Sequence, residues 1–292
     1  MCFVYRCESN DGDPDVTYKG AEGLYHLDLG YNALDGEVPA RCLVQCSPGL
    51  AVVKLGSNRL TGTVPVAFAN LRETLRSLDL SSNELHGQLP VEFGTLDRIQ
   101  TLDLSLNRIG GQVPGTWMTD MEALYTLDLA HNRCVYFIPV RAIRMTSCVV
   151  YRLTGEFPTI GANMRRLRRV FLGHNRLHGE FGAQLTRLYD SLKSNEHERD
   201  SFAAGTSYSL SGNKFSGPLP YAVYSLFTHP KSAISLEQVR FFLSSCGRLE
   251  TDDVVFCVKV HLGGNRFRCD RDTGGWPAWA VSFFLCPYGQ LV

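Results

Sequence analysis

The sequence predicts an α/β solenoid, a coil of short repeated units with a parallel β-sheet on one side and a buried interior. Two observations predict it. One asparagine recurs at steps of 26, 25, 24 and 25 residues from Asn32 to Asn132. Around each asparagine, leucines and one proline keep fixed positions. A single helix or strand produces neither feature, whereas a repeat of this length is typical of stacked coils.

Five consecutive units follow the pattern closely, and others follow it after gaps. The five read LYHLDLGYNALDGEVP, LAVVKLGSNRLTGTVP, LRSLDLSSNELHGQLP, IQTLDLSLNRIGGQVP and LYTLDLAHNRCVYFIP. The recurring asparagines are Asn32, Asn58, Asn83, Asn107, Asn132, Asn175, Asn213 and Asn265. A weaker unit has Tyr151 in the asparagine place and Pro158 in the proline place. Eight of the chain's twelve asparagines therefore share one predicted position.

Each part of the unit has a physical reason. In L-x-x-L-x-L the last three positions alternate, as a short strand with one buried face requires. The asparagine turns the chain inward, and its amide can satisfy backbone groups of stacked coils that the turn leaves unpaired. The residue before each proline is extended. The return segments carry apolar pairs such as Phe68 and Leu71, which fit a helical turn facing inward.

Two stretches depart from the spacing. Residues 189–205 are polar and charge-rich, which predicts an exposed loop. The interval from Asn213 to Asn265 equals two steps of 26 residues. It either hides a further coil, with Val239 in the asparagine place and Ile234, Leu236 and Phe241 facing inward, or holds a helical insertion.

The pattern LxxLxLxxNxLxGxxP resembles leucine-rich repeat proteins of the plant type, such as receptor-like proteins and polygalacturonase inhibitors, and is similar to the surface antigens of trypanosomatid and bodonid protists. The resemblance implies a right-handed horseshoe or superhelix with its parallel sheet on the concave face. It covers residues 24–269, as about nine to ten repeats with insertions near 189–205 and 221–256. Residues 1–23 would be the remnant of an N-terminal cap, and residues 270–292 a C-terminal cap.

The ten cysteines divide by position. Cys134, Cys148 and Cys257 replace inward leucines and are predicted to be small buried hydrophobes, with a Cys134–Cys148 disulfide as the alternative. Cys42 and Cys46 are spaced to close a small loop. A zinc site is disfavoured because no second CxxC or HxxxH lies at zinc spacing. By resemblance, disulfides are expected in the end caps, at Cys2, Cys7, Cys269 and Cys286.

The solvent-facing strand position predicts a first candidate binding surface. Its residues are Asp28, Lys54, Asp79, Asp103, Asp128, Phe171, Ser209 and His261. Asp79, Asp103 and Asp128 fall in consecutive coils, where carboxylates repel one another and would favour a cation or a basic partner. The alternative is that the aspartates belong to the ordinary repeat pattern and make local hydrogen bonds.

Aromatic and basic residues near the strands predict a second candidate surface. The aromatic and imidazole members are Tyr25, His26, Tyr31, Tyr125, His131, Phe171 and His174. Exposed aromatics on a rigid face suit protein or glycan recognition, but scattered surface aromatics would look the same. Arg168 lies in a short basic run with Arg165, Arg166 and Arg169, which is either a solvated strand edge or a patch for an acidic partner.

Composition and motifs exclude several functions. Lys and Arg total 29 against 29 Asp and Glu, which disfavours a nucleic-acid-binding surface. No apolar stretch is long enough for a membrane span. Hydrolase, kinase, P-loop and metalloprotease motifs are absent from the sequence, and no cofactor or metal is expected.

The resemblance implies a non-catalytic scaffold that recognises a protein, peptide or glycan on its concave face, at the cell surface or after secretion. No signal peptide is visible, and the start resembles the tail of a longer cap. The alternatives are a secreted inhibitor of a cell-wall hydrolase and an intracellular scaffold. An enzyme carrying the repeats as an accessory module is disfavoured, because no catalytic domain fits in the remaining residues.

Overall fold

The computed structural model describes residues 23–132, 152–182, 184, 187 and 206–218, and beyond them the strands 232–233, 242–248, 255–261 and 266–268. The predictions for the end-cap cysteines, Cys134, Cys148, the loop 189–205 and Asn265 lie outside these residues. The domain limits of the caps remain predictions for the same reason.

The main sheet has one short strand from each coil. In spatial order its parallel strands are β1 (His26–Asp28), β3 (Val52–Lys54), β5 (Ser77–Asp79), β7 (Thr101–Asp103), β9 (Thr126–Asp128), β11 (Arg169–Phe171), β13 (Thr206–Ser209) and β17 (Val255–His261). Equivalent residues of neighbouring coils lie opposite each other, as Leu78 and Leu102 do. The predicted α/β solenoid with a parallel sheet is confirmed.

The interior is built from the predicted leucines and from the return segments. Leu78, Leu102 and Leu127 on the main strands are fully buried. The return segments are α1 (Ala40–Cys46), α2 (Trp117–Asp120) and two 3₁₀ helices, Val66–Leu71 and Val91–Thr95. Each 3₁₀ helix buries its phenylalanine, and the rings of Phe93 and Trp117 stack with centroids 5.9 Å apart. The inward-facing pairs of the return segments are therefore confirmed.

The asparagines form the predicted ladder between coils. The Asn107 side-chain amide donates to the carbonyls of Leu80, Leu104 and Ser105, and its Oδ1 accepts from the Leu85 amide. Asn107 is 1% exposed, so these backbone groups have no access to water as an alternative partner. The same inter-coil bonds are made by Asn58, Asn83, Asn132, Asn175 and Asn213.

Tyr151 does not begin a coil of its own, so the prediction of a separate unit there is wrong. Strand β9 pairs directly with β11, and the Asn175 amide bonds to the Leu129 carbonyl of the Asn132 coil. Leu153 bridges to Gly111 in the preceding coil. Residues 152–158, RLTGEFP, therefore complete the coil that Asn132 begins, and residues 133–151 are inserted between the two parts.

No described strand lies between the main-sheet strands of the Asn213 and Asn265 coils, and the predicted positions around Val239 lie outside the described residues. Strand β13 pairs directly with β17. On the other side of β17 lie β16 (Phe242–Arg248) and β15 (Ser232–Ala233), which extend the sheet by antiparallel pairing. A helix is ruled out for residues 242–248. Because Val239 has no side-chain amide, it cannot replace an asparagine in the ladder.

A second set of strands follows the asparagine turns, and we call it the lateral sheet. Its strands are β2 (Asp35–Glu37), β4 (Arg59–Thr61), β6 (His86–Gln88), β8 (Arg108–Gly110), β10 (Thr154–Glu156), β12 (Arg176–Glu180), β14 (Lys214–Pro218) and β18 (Arg266–Arg268). Neighbouring strands are parallel, and bridges from Thr63 to His86 and from Gly111 to Leu153 link the pairs into one series.

The expected small loop between Cys42 and Cys46, both on helix α1, is wrong. Cys42 takes part in a disulfide bond, whereas the Cys46 sulfur is a thiol. The two therefore do not close a small loop with each other. The partner of Cys42 is none of the residues whose side chains are described.

Candidate ligand-binding surface on the concave sheet

Three carboxylates lie side by side on the main sheet. Asp79 is opposite Asp103, and Asp103 is opposite Asp128, on the adjacent strands β5, β7 and β9. We call these three residues the acidic column. Lys54 precedes it on β3 and Phe171 follows it on β11, in the same register. The column therefore ends in a cation on one side and an aromatic ring on the other.

The first two carboxylates are held by local hydrogen bonds. The Ser81 hydroxyl donates to Asp79 Oδ1 at 2.6 Å, and the Ser105 hydroxyl donates to Asp103 Oδ1 at 2.7 Å. Each carboxylate also accepts the backbone amide of that serine. The local hydrogen bonds that the sequence left as an alternative are therefore present, and no group of three metal-binding side chains occurs among the described residues.

Asp128 differs because Ala130 replaces the serine. Its carboxylate accepts only the Ala130 backbone amide, at 2.9 Å, among the hydrogen bonds of the described residues. Burial raises the pKa of Asp128 to about 7, and the negative charge of Asp103 adds to the increase. Burial also raises the pKa of Asp103, against the bonds from Ser105. At neutral pH Asp128 can therefore donate as well as accept a hydrogen bond.

The first coil carries a different arrangement. The Lys54 ammonium lies 3.5 Å from the Asp28 carboxylate, and both side chains are about half exposed. The backbone amide of Gly30 is the main cause that lowers the pKa of Asp28, followed by the bond to Lys54. This carboxylate is thus neutralised by a salt bridge that the acidic column lacks.

A row of residues in left-handed backbone conformation borders the concave face. They precede the ladder asparagines and have φ values from +53° to +60°: Tyr31, Ser57, Ser82, Leu106, His131 and His174. The next coil holds this conformation, since its carbonyls accept the amides of these residues, as Gly56 does from Tyr31. Such strained positions persist only where the surrounding structure fixes them. The row therefore presents rigidly placed side chains.

Two neighbouring coils combine most of the chemistry on this face. The imidazoles of His131 and His174 stack with centroids 4.2 Å apart, and the Arg169 guanidinium lies 5.7 Å from the Tyr125 ring centroid. Asp128 and Phe171 lie opposite each other between these pairs. We call the set of Tyr125, Asp128, His131, Arg169, Phe171 and His174 the central patch.

The other predicted residues lie apart from the central patch. Tyr25, His26, Asp28 and Tyr31 belong to the first coil, which three strands separate from β9. Tyr31 is 91% exposed. Arg168 is only 9% exposed, and its guanidinium donates to the carbonyls of Arg165 and Leu167. Arg168 therefore stabilises the backbone and is not retained as a candidate for ligand binding.

Sequence reasoning did not single out two residues that the structure places on this face. Arg169, a member of the same basic run as Arg168, begins strand β11 and packs over the Tyr125 ring. Leu106 is 53% exposed in the row that borders the patch. The sequence contained a signal for Leu106, since it is the aliphatic residue at a position where the other ladder coils have tyrosine, serine, histidine or glycine.

The comparisons with known proteins agree with this architecture. A family model described as a leucine-rich repeat matches residues 48–109, the most regular coils. This segment of the chain is therefore similar to leucine-rich repeats. A comparison with curated protein sequences finds no significant match.

Solved leucine-rich repeat structures from plants are similar in fold. The Arabidopsis receptor kinase HAESA, solved with the peptide hormone IDA and the co-receptor SERK1, is 23% identical with a TM-score of 0.50. The alignment covers 68% of this chain and 27% of that one. The ectodomain of the receptor kinase GASSHO1/SCHENGEN3 from Arabidopsis thaliana, in complex with CASPARIAN STRIP INTEGRITY FACTOR 2, is 23% identical with a TM-score of 0.51. That alignment covers 69% of this chain and 23% of the other.

The chain thus matches less than a third of the length of these receptors. Within the described residues, no helix is long and apolar enough to cross a membrane.

Proposed function

We propose that this leucine-rich repeat protein is a non-catalytic scaffold that binds a protein or peptide ligand on its concave face, at the cell surface or after secretion. The central patch is the proposed centre of binding. The coils repeat one backbone, so the side chains that change from coil to coil decide which ligand fits. The two similar receptor structures were solved with the peptide hormone IDA and with CASPARIAN STRIP INTEGRITY FACTOR 2, which supports this class of ligand.

One observation carries the proposal. Asp128 and Phe171 occupy the same strand position in adjacent coils, with the Arg169–Tyr125 pair beside them. A carboxylate, a guanidinium and two aromatic rings therefore lie together on a rigid sheet. Aromatic and arginine side chains dominate the energetics of protein interfaces. An extended peptide with a basic residue toward Asp103 and Asp128 and an apolar residue toward Phe171 complements this arrangement.

The test begins with a random peptide library displayed on phage, selected against the full chain. The peptides recovered are synthesised and titrated against two single variants, Asp128→Asn and Arg169→Gln. We expect each variant to weaken binding by about tenfold or more, as removal of a central contact does. These variants change charge with little change of shape, so the fold should persist, and circular dichroism checks it.

A matched control alters the opposite side of the coil. Val91→Ala with Glu92→Gln changes two exposed residues of the 3₁₀ helix Val91–Thr95 and should leave the affinity unchanged. The proposal fails if the selected peptides bind both central variants as tightly as the native chain. It fails equally if the control double variant abolishes binding.

A further inference from the structure

A basic residue follows the asparagine turn in most coils of the lateral sheet. In spatial order the residues at this position are Ala33, Arg59, Glu84, Arg108, Arg152, Arg176, Lys214 and Arg266. The last five are all basic and lie in five consecutive coils. We call these five residues the basic column.

The basic column cannot be recognised from the order of residues in the sequence, because residues 133–151 are inserted within one coil. Read along the chain, Arg133 follows Asn132, and Arg152 belongs to a separate weak unit. In the structure Leu153 bridges to Gly111 and the Leu153 amide donates to Asn175 Oδ1. Arg152 is therefore placed at the basic position of the Asn132 coil, and the column runs from Arg108 to Arg266 without a gap.

The register is the same between all these coils. Arg176 lies opposite Thr154, Lys214 opposite His178, and Arg266 opposite Ser216. Each basic residue thus has a hydroxyl-bearing or imidazole residue of the preceding coil across from it. Two exposed carboxylates, Glu156 and Glu180, lie opposite His178 and Ser216, and therefore two strands away from Lys214 and Arg266 in the same cross-strand rows.

Side chains at this position in adjacent coils reach each other. The Arg108 guanidinium lies 2.9 Å from the Glu84 carboxylate, which occupies the same position one coil earlier. This pair neutralises the start of the column. Arg176 and Lys214 form no ion pair with any described residue, and Lys214 is exposed. Their charges therefore remain available to a ligand.

We infer that the lateral sheet binds a linear acidic polysaccharide along the basic column. Its positions recur once per coil, so a polymer with regularly spaced carboxylate or sulfate groups can meet the Arg176 and Lys214 charges together. Thr154, His178 and Ser216 belong to the same strands and supply partners for sugar hydroxyls. The zero net charge of the chain disfavours general binding of nucleic acids, whose affinity rests on a broad basic excess.

This surface is separate from the central patch. The lateral strands begin after the asparagine turns, whereas the central patch lies on the main strands and at the residues before the turns. The inference therefore does not depend on the proposed function, and the chain would bind a protein ligand and an acidic glycan on two faces.

The test measures binding of the full chain to immobilised heparin, a linear sulfated polysaccharide, and to uncharged dextran. We expect binding to heparin only, weakening as salt is added. The double variant Arg176→Gln with Lys214→Gln should lower the affinity about tenfold, because the charges of half-buried Arg176 and exposed Lys214 are both lost. A matched double variant, Arg98→Gln with Arg166→Gln, removes the same charge at exposed positions elsewhere and should bind heparin as the native chain does.

Three results would overturn the inference. The first is equal loss of heparin binding in both double variants, which would mean that net charge alone decides it. The second is unchanged affinity of the Arg176–Lys214 double variant, shown by circular dichroism to be folded. The third is that single-stranded DNA displaces heparin at an equal charge concentration, which would assign the column to polyanions in general.

Discussion

Two pairs of neighbouring coils have the same interior but differ in how they are connected. The coils around Asn83 and Asn107 follow each other directly in the chain, whereas residues 133–151 separate parts of the coils around Asn132 and Asn175. Asn107 bonds to the carbonyl of Leu80, 27 residues earlier, whereas Asn175 bonds to that of Leu129, 46 residues earlier. Asn107 and Asn175 are nevertheless buried to the same degree, and both bridge two coils. A coil is therefore defined by its ladder and its strand, not by the number of residues between asparagines.

The two pairs of coils also share their interior but differ in the residues that they present on the concave face. Both regions keep the buried leucines and the asparagine bonds, but the regular coils present Asp79 and Asp103 held by serines. The later coils present Asp128 without a serine, then Phe171, together with stacked histidines and the Arg169–Tyr125 pair. The interrupted region is thus the chemically more varied one, and it contains the central patch.

Loss of a ladder asparagine should have the largest effect of the substitutions considered. Asn107→Ala leaves the Leu85 amide and three carbonyls without their side-chain partner in a buried site. We expect a loss of about 1–3 kcal/mol in the free energy of unfolding, measured with urea. Asn175→Ala should cost about the same if the interrupted coils are equivalent to the regular ones.

Asn32 provides the matched control. Among the described residues, its amide bonds to carbonyls of its own coil, those of Leu29 and Gly30, in an exposed setting. Asn32→Ala should therefore cost clearly less than either ladder substitution. A loss at Asn32 as large as that at Asn107 would contradict the role of the inter-coil bonds.

A smaller effect should distinguish Asp128 from the carboxylates of the regular coils. Its folded pKa of about 7 exceeds the ordinary value of 3.8, so between these two pH values the folded state holds a proton that the unfolded state has lost. Stability from this group is therefore complete below pH 4 and falls as the pH rises to 7. Asp128→Asn should raise the unfolding free energy at pH 8 and change it little at pH 3.5.

Asp28 should respond in the opposite sense. Its pKa is lowered in the folded state by the Gly30 amide and by Lys54, so Asp28→Asn should reduce stability at neutral pH and not in acid. Melting curves of both variants at pH 3.5 and 8 provide the measurement. An identical pH response in the two variants would show that burial does not set the behaviour of Asp128.

Much of the fold was predictable because it depends on residues that repeat. The inward leucines, the asparagine ladder and the return segments with Phe68 and Phe93 each need one residue type at one spacing, and the structure has them there. The error at Tyr151 arose because the spacing of residues along the chain was taken as the order in which coils stack. Hydrogen bonds of Asn175 to Leu129 and pairing of β13 with β17 are contacts across insertions, which no local pattern encodes.

The candidate site was less predictable for a related reason. Sequence reasoning identified the strand position of Asp79, Asp103 and Asp128, because the period fixes which residues face outward. The sequence could not show which of the adjacent residues Arg168 and Arg169 faces the concave surface, because neighbouring residues of a strand point to opposite sides. Nor could it place Arg152 in the basic column, because that requires knowing that residues 152–158 follow Asn132 in space.

The central claim is that residues 133–151 interrupt one coil. A deletion of these residues joins Asn132 to Arg152 and restores the uninterrupted sequence LDLAHNRLTGEFP. We expect this variant to unfold cooperatively at a melting temperature equal to or above that of the native chain, since a loop is removed and the ladder is kept. A second variant that also lacks residues 152–158 should lose the cooperative transition. Failure of the first deletion to fold, while the native chain folds under the same conditions, would contradict the claim.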